Sequence, residues 1–422
     1  MRVLFLTHFF PPEIGAPQTR ILETARDLRM LGHEVAVLTT FPNYPSGIIP
    51  PTYRRRLIMR ERIDGIPVLR GWLHAAPNRG FLRRAFSHIS FALSALPTAT
   101  RLPRRPDVIA VDMHPLFLCL TAAALGRAWR IPYVLNAGDL IPDQAVAYGV
   151  MKNPVAIRLS RAMANFAIRK ASYIVPFTRG IHDALVERGV PKEKLELIYY
   201  GADIGLFQPG QRQLDATPQL DALSDDAFVV TYAGTHGLPH GLDVILATAR
   251  ILQQAQDIRF LLVGDGGEKE RLVEEARRQR LSNVTFLDPL PRTALPALYR
   301  RSSICLVTLR RSDWLRQFAL SSKVFDAMAA GRPVIVAAEG ETATVVHQSN
   351  AGLCVPPESP EELAAAITAL KADPVARQRM GDCGRRYIAR HLTREEQSRR
   401  FEAVLCRAAA QPVGVAINAS TP

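Results

Sequence analysis

The sequence of 422 residues predicts an α/β protein made of two consecutive doubly wound domains that face a cleft. Three observations carry that expectation. Short runs of Val, Ile, Leu and Phe alternate with longer stretches of helical period. The pattern of strand, glycine-containing loop and helix opens the chain and restarts at Phe228. Between the two, residues 206–226 lose periodicity and gather Pro, Gly, Asp and Gln, as a linker does.

Arg2–Thr7 reads as a buried strand, and His8–Gln18 is a loop rich in Pro and Gly. Thr19–Leu31 is an amphipathic helix closed by Gly32, and Glu34–Thr39 is the next strand, completing a βαβ unit. Gly15 stands where backbone approaches a ligand at the switch point of such a sheet, although the loop lacks the G-x-G-x-x-G dinucleotide spacing. A basic loop leads to strand Ile66–Gly71. Pro106–Val111 is a strand, Leu116–Trp129 a helix, Tyr133–Asn136 a strand and Asn153–Ala171 a long helix. Tyr173–Phe177, Thr178–Arg188 and Leu195–Tyr199 follow as strand, helix and strand. His114 and Asp139 thereby fall at the carboxyl ends of parallel strands, the edge on which open α/β sheets bind ligands.

The second half runs Phe228–Ala233 strand, a Gly234–Gly241 loop, helix to Gln254, Ile258–Val263 strand, a Gly264–Gly267 loop, and helix Glu268–Arg280. Val284–Leu287 and Ile304–Thr308 are strands on either side of helix Arg292–Arg300. In Ser321–Ala338 the hydroxyl of Ser321 or Ser322 suits an N-cap before a helix, Gly331 and Pro333 stop it, and Val334–Val336 returns as strand. Lys323 adds a cation to the first turn, and Asp326 lies three residues on, on the same face. That grouping suits a diphosphate and a sugar hydroxyl; an ordinary capped helix with a surface Lys–Asp pair has the same spacing. Gly352–Val355 is the last strand, Glu361–Lys371, Pro374–Arg390 and Thr393–Ala410 are helices, and residues 411–422 read as a frayed tail. The domain bounds expected are 1–205, 227–392, and a C-terminal helix 393–410 packing back toward the first domain.

Composition narrows the class. Hydrophobic content of 48% with 22% charge is that of a globular chain. The five cysteines are scattered with no C-x-x-C pair, so neither a zinc site nor a disulfide framework is expected, and a reducing compartment fits. No secretory signal is visible, and no uncharged apolar run reaches membrane-spanning length. Net charge is +14, and residues 1–205 hold 27 Lys+Arg against 15 Asp+Glu while the rest are nearly balanced. The arginines flank the apolar segment Phe81–Ala99, a pattern that fits either an anionic membrane surface or a core helix with a solvated basic rim. No nucleic-acid-binding motif occurs.

Four stretches together are familiar: Pro11–Ala16 (Pro-Pro-Glu-Ile-Gly-Ala), Tyr199–Phe207, Val263–Gly267 (Val-Gly-Asp-Gly-Gly) and Phe325–Val334 (Phe-Asp-Ala-Met-Ala-Ala-Gly-Arg-Pro-Val). In this order, over nearly the whole length, the chain resembles the family 4 glycosyltransferases of the GT-B fold, two facing Rossmann-like domains with a cleft between. With His114-Pro115, Asp139–Pro142, Gly234–Gly237, His240-Gly241 and Ser322-Lys323 it is most similar to the bacterial O-antigen and capsule enzymes of the N-acetylfucosamine-transferase-like group. The resemblance implies a retaining transfer of sugar from a nucleotide-sugar donor to a lipid-linked or oligosaccharide acceptor, in bacterial surface polysaccharide synthesis. It implies no cofactor, no required metal, and a cytoplasmic enzyme peripheral on the inner membrane face.

Residue by residue, the resemblance assigns Asp326 to the donor ribose, Lys323 and Ser322 to the phosphates, Gly15 to the diphosphate, and the Leu290 loop to the base. Thr235, His236, His240, Gly264 and Asp265 join this substrate-binding set; His114 and Asp139 are the catalytic candidates. Phe318 stands where the family carries a first Glu, Gly234 and His240 stand where it carries Arg and Lys, and Tyr200 stands where Asn is usual. Diphosphate charge would therefore rest on Lys323, with Arg310 or Arg316 as helpers. The alternatives are a nucleotide-sugar epimerase-hydrolase, which would draw on acids such as Asp112, Asp139 and Asp143, and a degenerate sugar-nucleotide-binding protein.

Overall fold

The structure, a computed structural model, describes residues 1–13, 15–44, 46–76, 81–207 and 226–411. Most of the expected linker and all but the first residue of the expected tail therefore lie outside the described residues. The chain divides into two compact units, Met1–Tyr199 with Glu395 onward, and Tyr200–Arg394.

The first unit is built on a seven-stranded sheet: β1 (Arg2–Leu6), β2 (Glu34–Thr40), β3 (Ile58–Ile63), β4 (Ile66–Gly71), β5 (Val108–Asp112), β6 (Tyr133–Ala137) and β7 (Tyr173–Pro176). Their order is β3-β4-β2-β1-β5-β6-β7, parallel except for β3. The central strands are apolar on both faces because helices cover both, as a parallel sheet requires. β3 lies inside the stretch read from sequence as a basic loop. Its Ile-Met-Arg-Glu-Arg-Ile run places charges on an edge strand, where they discourage pairing with another chain. The first helix begins at Ala16, three residues earlier than the sequence indicates, because a proline is tolerated in a first turn. Leu195–Tyr199 is extended but only bridged: Leu195 pairs with Ile174, and the N–H groups of Glu196 and Ile198 donate to Ile174 and Pro176. The helix Arg394–Ala410 packs on this unit from Glu395 onward, with Phe401 stacked on Phe5 at 6.3 Å and Arg400 and Arg407 both paired with Glu196 at 2.9 Å.

The second unit carries a six-stranded parallel sheet, β8 (Phe228–Ala233), β9 (Ile258–Val263), β10 (Val284–Leu287), β11 (Ile304–Thr308), β12 (Val334–Ala337) and β13 (Gly352–Val355), ordered β10-β9-β8-β11-β12-β13. Its core joins Val230, Tyr232, Phe260 and Ile335 to Leu246, Leu363 and Ile367 of the covering helices. Two helices were not legible in sequence. Asp313–Phe318 is too short to show a period, and Glu341–Ser349 starts after Gly340, whose φ is 73°. In each sheet the strand order reverses, between β1 and β5 and between β8 and β11. The carboxyl ends of those pairs are where loops can receive a ligand.

Candidate active site

The carboxyl edge of the second unit gathers most of the expected donor residues. Lys323 opens the helix Lys323–Ala329, and its side chain lies over Gly234, just past β8. A Cβ on Gly234 would sit 1.8 Å from Lys323 Cε, so the glycine is what lets the lysine through. The ammonium stands 5.6 Å from the Tyr232 ring centroid. Among the described residues no carboxylate pairs with Lys323, and desolvation pushes its pKa down to about 8. Other cations nearby are engaged: Arg310 with Asp243 at 3.2 Å, Lys269 with Asp288 at 2.7 Å, and Arg316 with exposed Asp313 at 2.8 Å. Lys323 is thus a half-buried positive charge with no carboxylate partner among the described residues.

The two glycine loops interlock. A Cβ on Gly264, with φ of 143°, would fall 1.9 Å from the Gly234 carbonyl oxygen. The His236 N–H donates to the Asp265 carbonyl at 2.8 Å, and the Asp265 carboxylate accepts from Gly266 N at 2.8 Å. Thr235 is exposed, and its carbonyl accepts from the Tyr232 hydroxyl at 2.8 Å. The His236 ring points inward. It is fully buried against Phe286 and Tyr232, with both ring nitrogens unpartnered. Burial, then Lys269 and Lys323, lowers it to about 4, and burial with Lys323 lowers His240 to about 2. Both are neutral at pH 7 and add no charge for a diphosphate.

Asp326 is half-buried one turn along, with Arg292 Nη2 at 3.5 Å from its carboxylate. Burial raises its pKa and Arg292 opposes that. Sequence reasoning missed Arg292; its only signal was its place two residues after Leu290, which packs on the adjoining apolar cluster. The Ser322 cap is corrected. Its backbone is already helical, its hydroxyl caps nothing, and its carbonyl accepts from Phe325 N at 3.1 Å. Phe318, where the first acid was expected, packs against Trp314 with ring centroids 4.4 Å apart.

The first unit assembles a second group at the ends of β1, β5 and β6. His114 stacks with Phe9 at 6.3 Å and meets His88 edge-on at 5.8 Å. His88 in turn meets His8 at 4.8 Å. Burial and the nearby Arg84 lower His114 to about 4 and, with His114 itself, His88 to about 3, so this cluster is neutral at pH 7. His8 and His88 escaped the sequence reading because His8 opens a Pro- and Gly-rich loop and His88 lies within the apolar segment Phe81–Ala99, neither at the spacing of a known site. Asp139 is raised to about 6 by desolvation and accepts from Gln144 Nε2 at 2.5 Å. Among the described residues no hydrogen bond joins His114 and Asp139. Gly15 precedes the first helix in extended backbone at φ 170°, open to any residue; an added Cβ would meet only the Gln18 side-chain end, at 2.5 Å. Asp112 is held by Arg20 at 2.6 Å and Asn136 at 3.0 Å, and Asp143 by Arg161 and Arg188, both at 2.8 Å. Two of the three acids that a hydrolase would draw on are therefore committed to ion pairs. The one group with metal-ligand spacing among the described residues, His33, Glu402 and Cys406, involves the residue just before β2 and so lies at the opposite edge of this sheet.

Each unit is a doubly wound α/β domain whose strands end at an edge where ligands bind. The family model described as "Glycosyl transferase 4-like domain" matches residues 15–201, and that described as "Glycosyl transferases group 1" matches 227–373. The chain belongs to the family 4 glycosyltransferases of the GT-B fold. It is similar to WcaI of Escherichia coli K12, a candidate colanic acid biosynthesis glycosyl transferase, with 26% identity over 95% of this chain and 98% of WcaI. In fold it is similar to Anabaena HepE in complex with UDP-glucose (TM-score 0.71, 18% identity, 96% and 100% of the two chains). The same holds for WaaG, a glycosyltransferase involved in lipopolysaccharide biosynthesis (TM-score 0.65, 15% identity, 96% and 99%).

Proposed function

We propose that this enzyme is a retaining glycosyltransferase that moves a sugar from a nucleotide-sugar donor to a lipid-linked glycan acceptor in bacterial surface polysaccharide synthesis. The observation that carries the reading is the uncompensated Lys323 ammonium at the β8–β11 switch point, one turn from Asp326. An unpaired cation held out of water is costly until an anion arrives, and a leaving diphosphate is such an anion. Asp326 takes the ribose hydroxyls. Lys323 neutralises the charge that grows as the bond from anomeric carbon to diphosphate oxygen breaks. Because Lys323 supplies that charge, the transfer requires no metal.

In the first unit, neutral His114 offers a lone pair to the developing oxocarbenium charge. Asp139, with its carboxyl at about 6, is mostly ionised at pH 7 and takes the proton of the acceptor hydroxyl as its oxygen bonds to the anomeric carbon. The polysaccharide setting is supported by the roles of WcaI and WaaG, and a uridine-type donor by the HepE complex. Whether the sugar is of the hexosyl or the N-acetylhexosaminyl type, as in the N-acetylfucosamine-transferase-like group, is decided by the donor panel described below.

We further propose that the first unit docks on an anionic membrane surface. No helix among the described residues is long and apolar enough to cross a membrane. The helix Phe81–Ala99 buries Phe91, Ala95 and Ala99 but leaves Phe86 and Leu93, two turns apart, 56% and 64% exposed. Trp72 is exposed beside them, its carbonyl accepting from Ser94, and Arg83 and Arg101 are exposed at the two ends. The whole reading is tested by incubating the enzyme with labelled nucleotide sugar and a lipid-linked acceptor extract, then reading the product's anomeric configuration by NMR. Transfer with retention is expected; inversion, or hydrolysis that ignores the acceptor, would overturn it.

A further inference from the structure

The second unit has a cavity of about 390 Å³ at the edge opposite Lys323. Its floor is the starts of three neighbouring strands: Ala227, Ser303 and Pro333 each line it, and β8, β11 and β12 begin at the next residue. β8 is six residues long, so this floor is about 20 Å from the donor edge. The two places cannot share one ligand of ordinary size.

The lining is strongly basic. Arg300, Arg301, Arg332 and Arg377 all face the cavity, and among the described residues no Asp or Glu lines it. Two of these guanidiniums carry the argument. Arg332 is half-buried, and its Nε is buried without a hydrogen-bond partner. Among the described residues Arg377 donates to carbonyls alone, those of Leu370 and Lys371, and lies over the Phe228 ring at 5.1 Å. Among the described residues neither pairs with a negative charge. Desolvation and the neighbouring Arg300 both work against the charged form of Arg332, which is a standing repulsion. Ser303 Oγ accepts from Val229 N at 3.1 Å, which leaves its own O–H free to donate into the space. Guanidiniums bind phosphate oxygens through paired N–H groups, and a cavity of this size matches a small ligand.

We propose that this cavity is a second anion site, distinct from the donor edge, for a small soluble phosphate or diphosphate ester. Occupancy ties the starts of β8, β11 and β12 to the helix beginning at Pro374, and so stiffens the second unit from below its sheet. Inorganic pyrophosphate carries the shared chemistry of the candidate ligands, a sugar phosphate or a free nucleotide, and serves as the probe.

The test is a calorimetric titration of the full chain with pyrophosphate in low salt. It is run on the unmodified protein, on Lys323→Ala to blank the donor edge, and on Arg332→Gln/Arg377→Gln. Lys323→Ala should retain saturable binding. The double arginine variant should lose one site or bind it about ten- to a hundredfold more weakly, as loss of charge-assisted bonds dictates. Arg332→Lys, which keeps the charge, should bind with intermediate affinity, and circular dichroism checks that all variants are folded. Displacement by a sugar phosphate or by a nucleoside monophosphate identifies the source of the ester. Unchanged stoichiometry and affinity in the double variant, or no saturable binding in Lys323→Ala at millimolar probe, would overturn the proposal. Neither result bears on the donor reading, which fails only if Lys323→Ala leaves sugar transfer intact.

Discussion

Replacing Lys323 with Met keeps the side chain's length and removes its charge. Two opposite effects should follow. In the free protein the ammonium is destabilised by burial, its pKa falling from 10.5 to about 8. At pH 7 both folded and unfolded chains are protonated, and the shift corresponds to a folding penalty of about 3 kcal/mol. The sign follows from the direction: a lysine lowered on folding weakens the fold below pH 8, and the penalty fades as pH rises toward 10.5. Met removes the penalty, so the second unit should melt higher at pH 7, by about 2–4 °C for each kcal/mol recovered. In the complex, Met forfeits a charge-assisted bond of about 1.5–3 kcal/mol, so turnover should fall about ten- to a hundredfold. Differential scanning calorimetry and a steady-state transfer assay on the same preparation read both. A lower melting temperature with unchanged turnover would refute the idea that Lys323 is held in reserve for an anion.

Other perturbations have equally definite outcomes. Asp326→Asn removes an ionised acceptor for the ribose and should raise the donor KM about tenfold while changing kcat less. The pH profile of kcat/KM should rise through about 6 as Asp139 ionises and fall through about 8 as Lys323 loses its proton. Asp139→Asn should erase the acid limb alone. Gly264→Ala forces a methyl against the Gly234 carbonyl at a φ of 143° and should cost about 2–4 kcal/mol, seen as a lowered denaturation midpoint. Replacing Phe86 and Leu93 with Ser and Arg83 and Arg101 with Gln should weaken binding to phosphatidylserine vesicles at least tenfold, since each arginine near such a surface contributes about 1 kcal/mol; unchanged co-sedimentation would remove the membrane proposal.

The sheets were legible in the sequence because buried parallel strands are short apolar runs, and β1, β8 and β9 leave no other reading. β3 was not, since its arginines hid the alternation, and Asp313–Phe318 is shorter than two helical turns. In the site, Lys323 and Asp326 were visible through their spacing, which places both on one helix face. Their partners were not. That Gly234 makes room for Lys323, that Arg292 reaches Asp326, and that His8, His88 and His114 adjoin one another are facts of tertiary packing between segments remote in sequence. The Ser322 hydroxyl shows the reverse case, a local rule that the backbone overrode because the residue is already helical.

The central claim is that the carboxyl edge of the second unit holds the diphosphate of a nucleotide sugar on Lys323 without a metal. The most direct test is a thermal-shift panel of nucleotide sugars with EDTA present, run on the unmodified enzyme and on Lys323→Met. One donor should raise the melting temperature of the unmodified enzyme by a saturable amount, and the same donor should leave Lys323→Met nearly unmoved. Equal shifts in the two proteins, or a shift that EDTA abolishes, would contradict the claim.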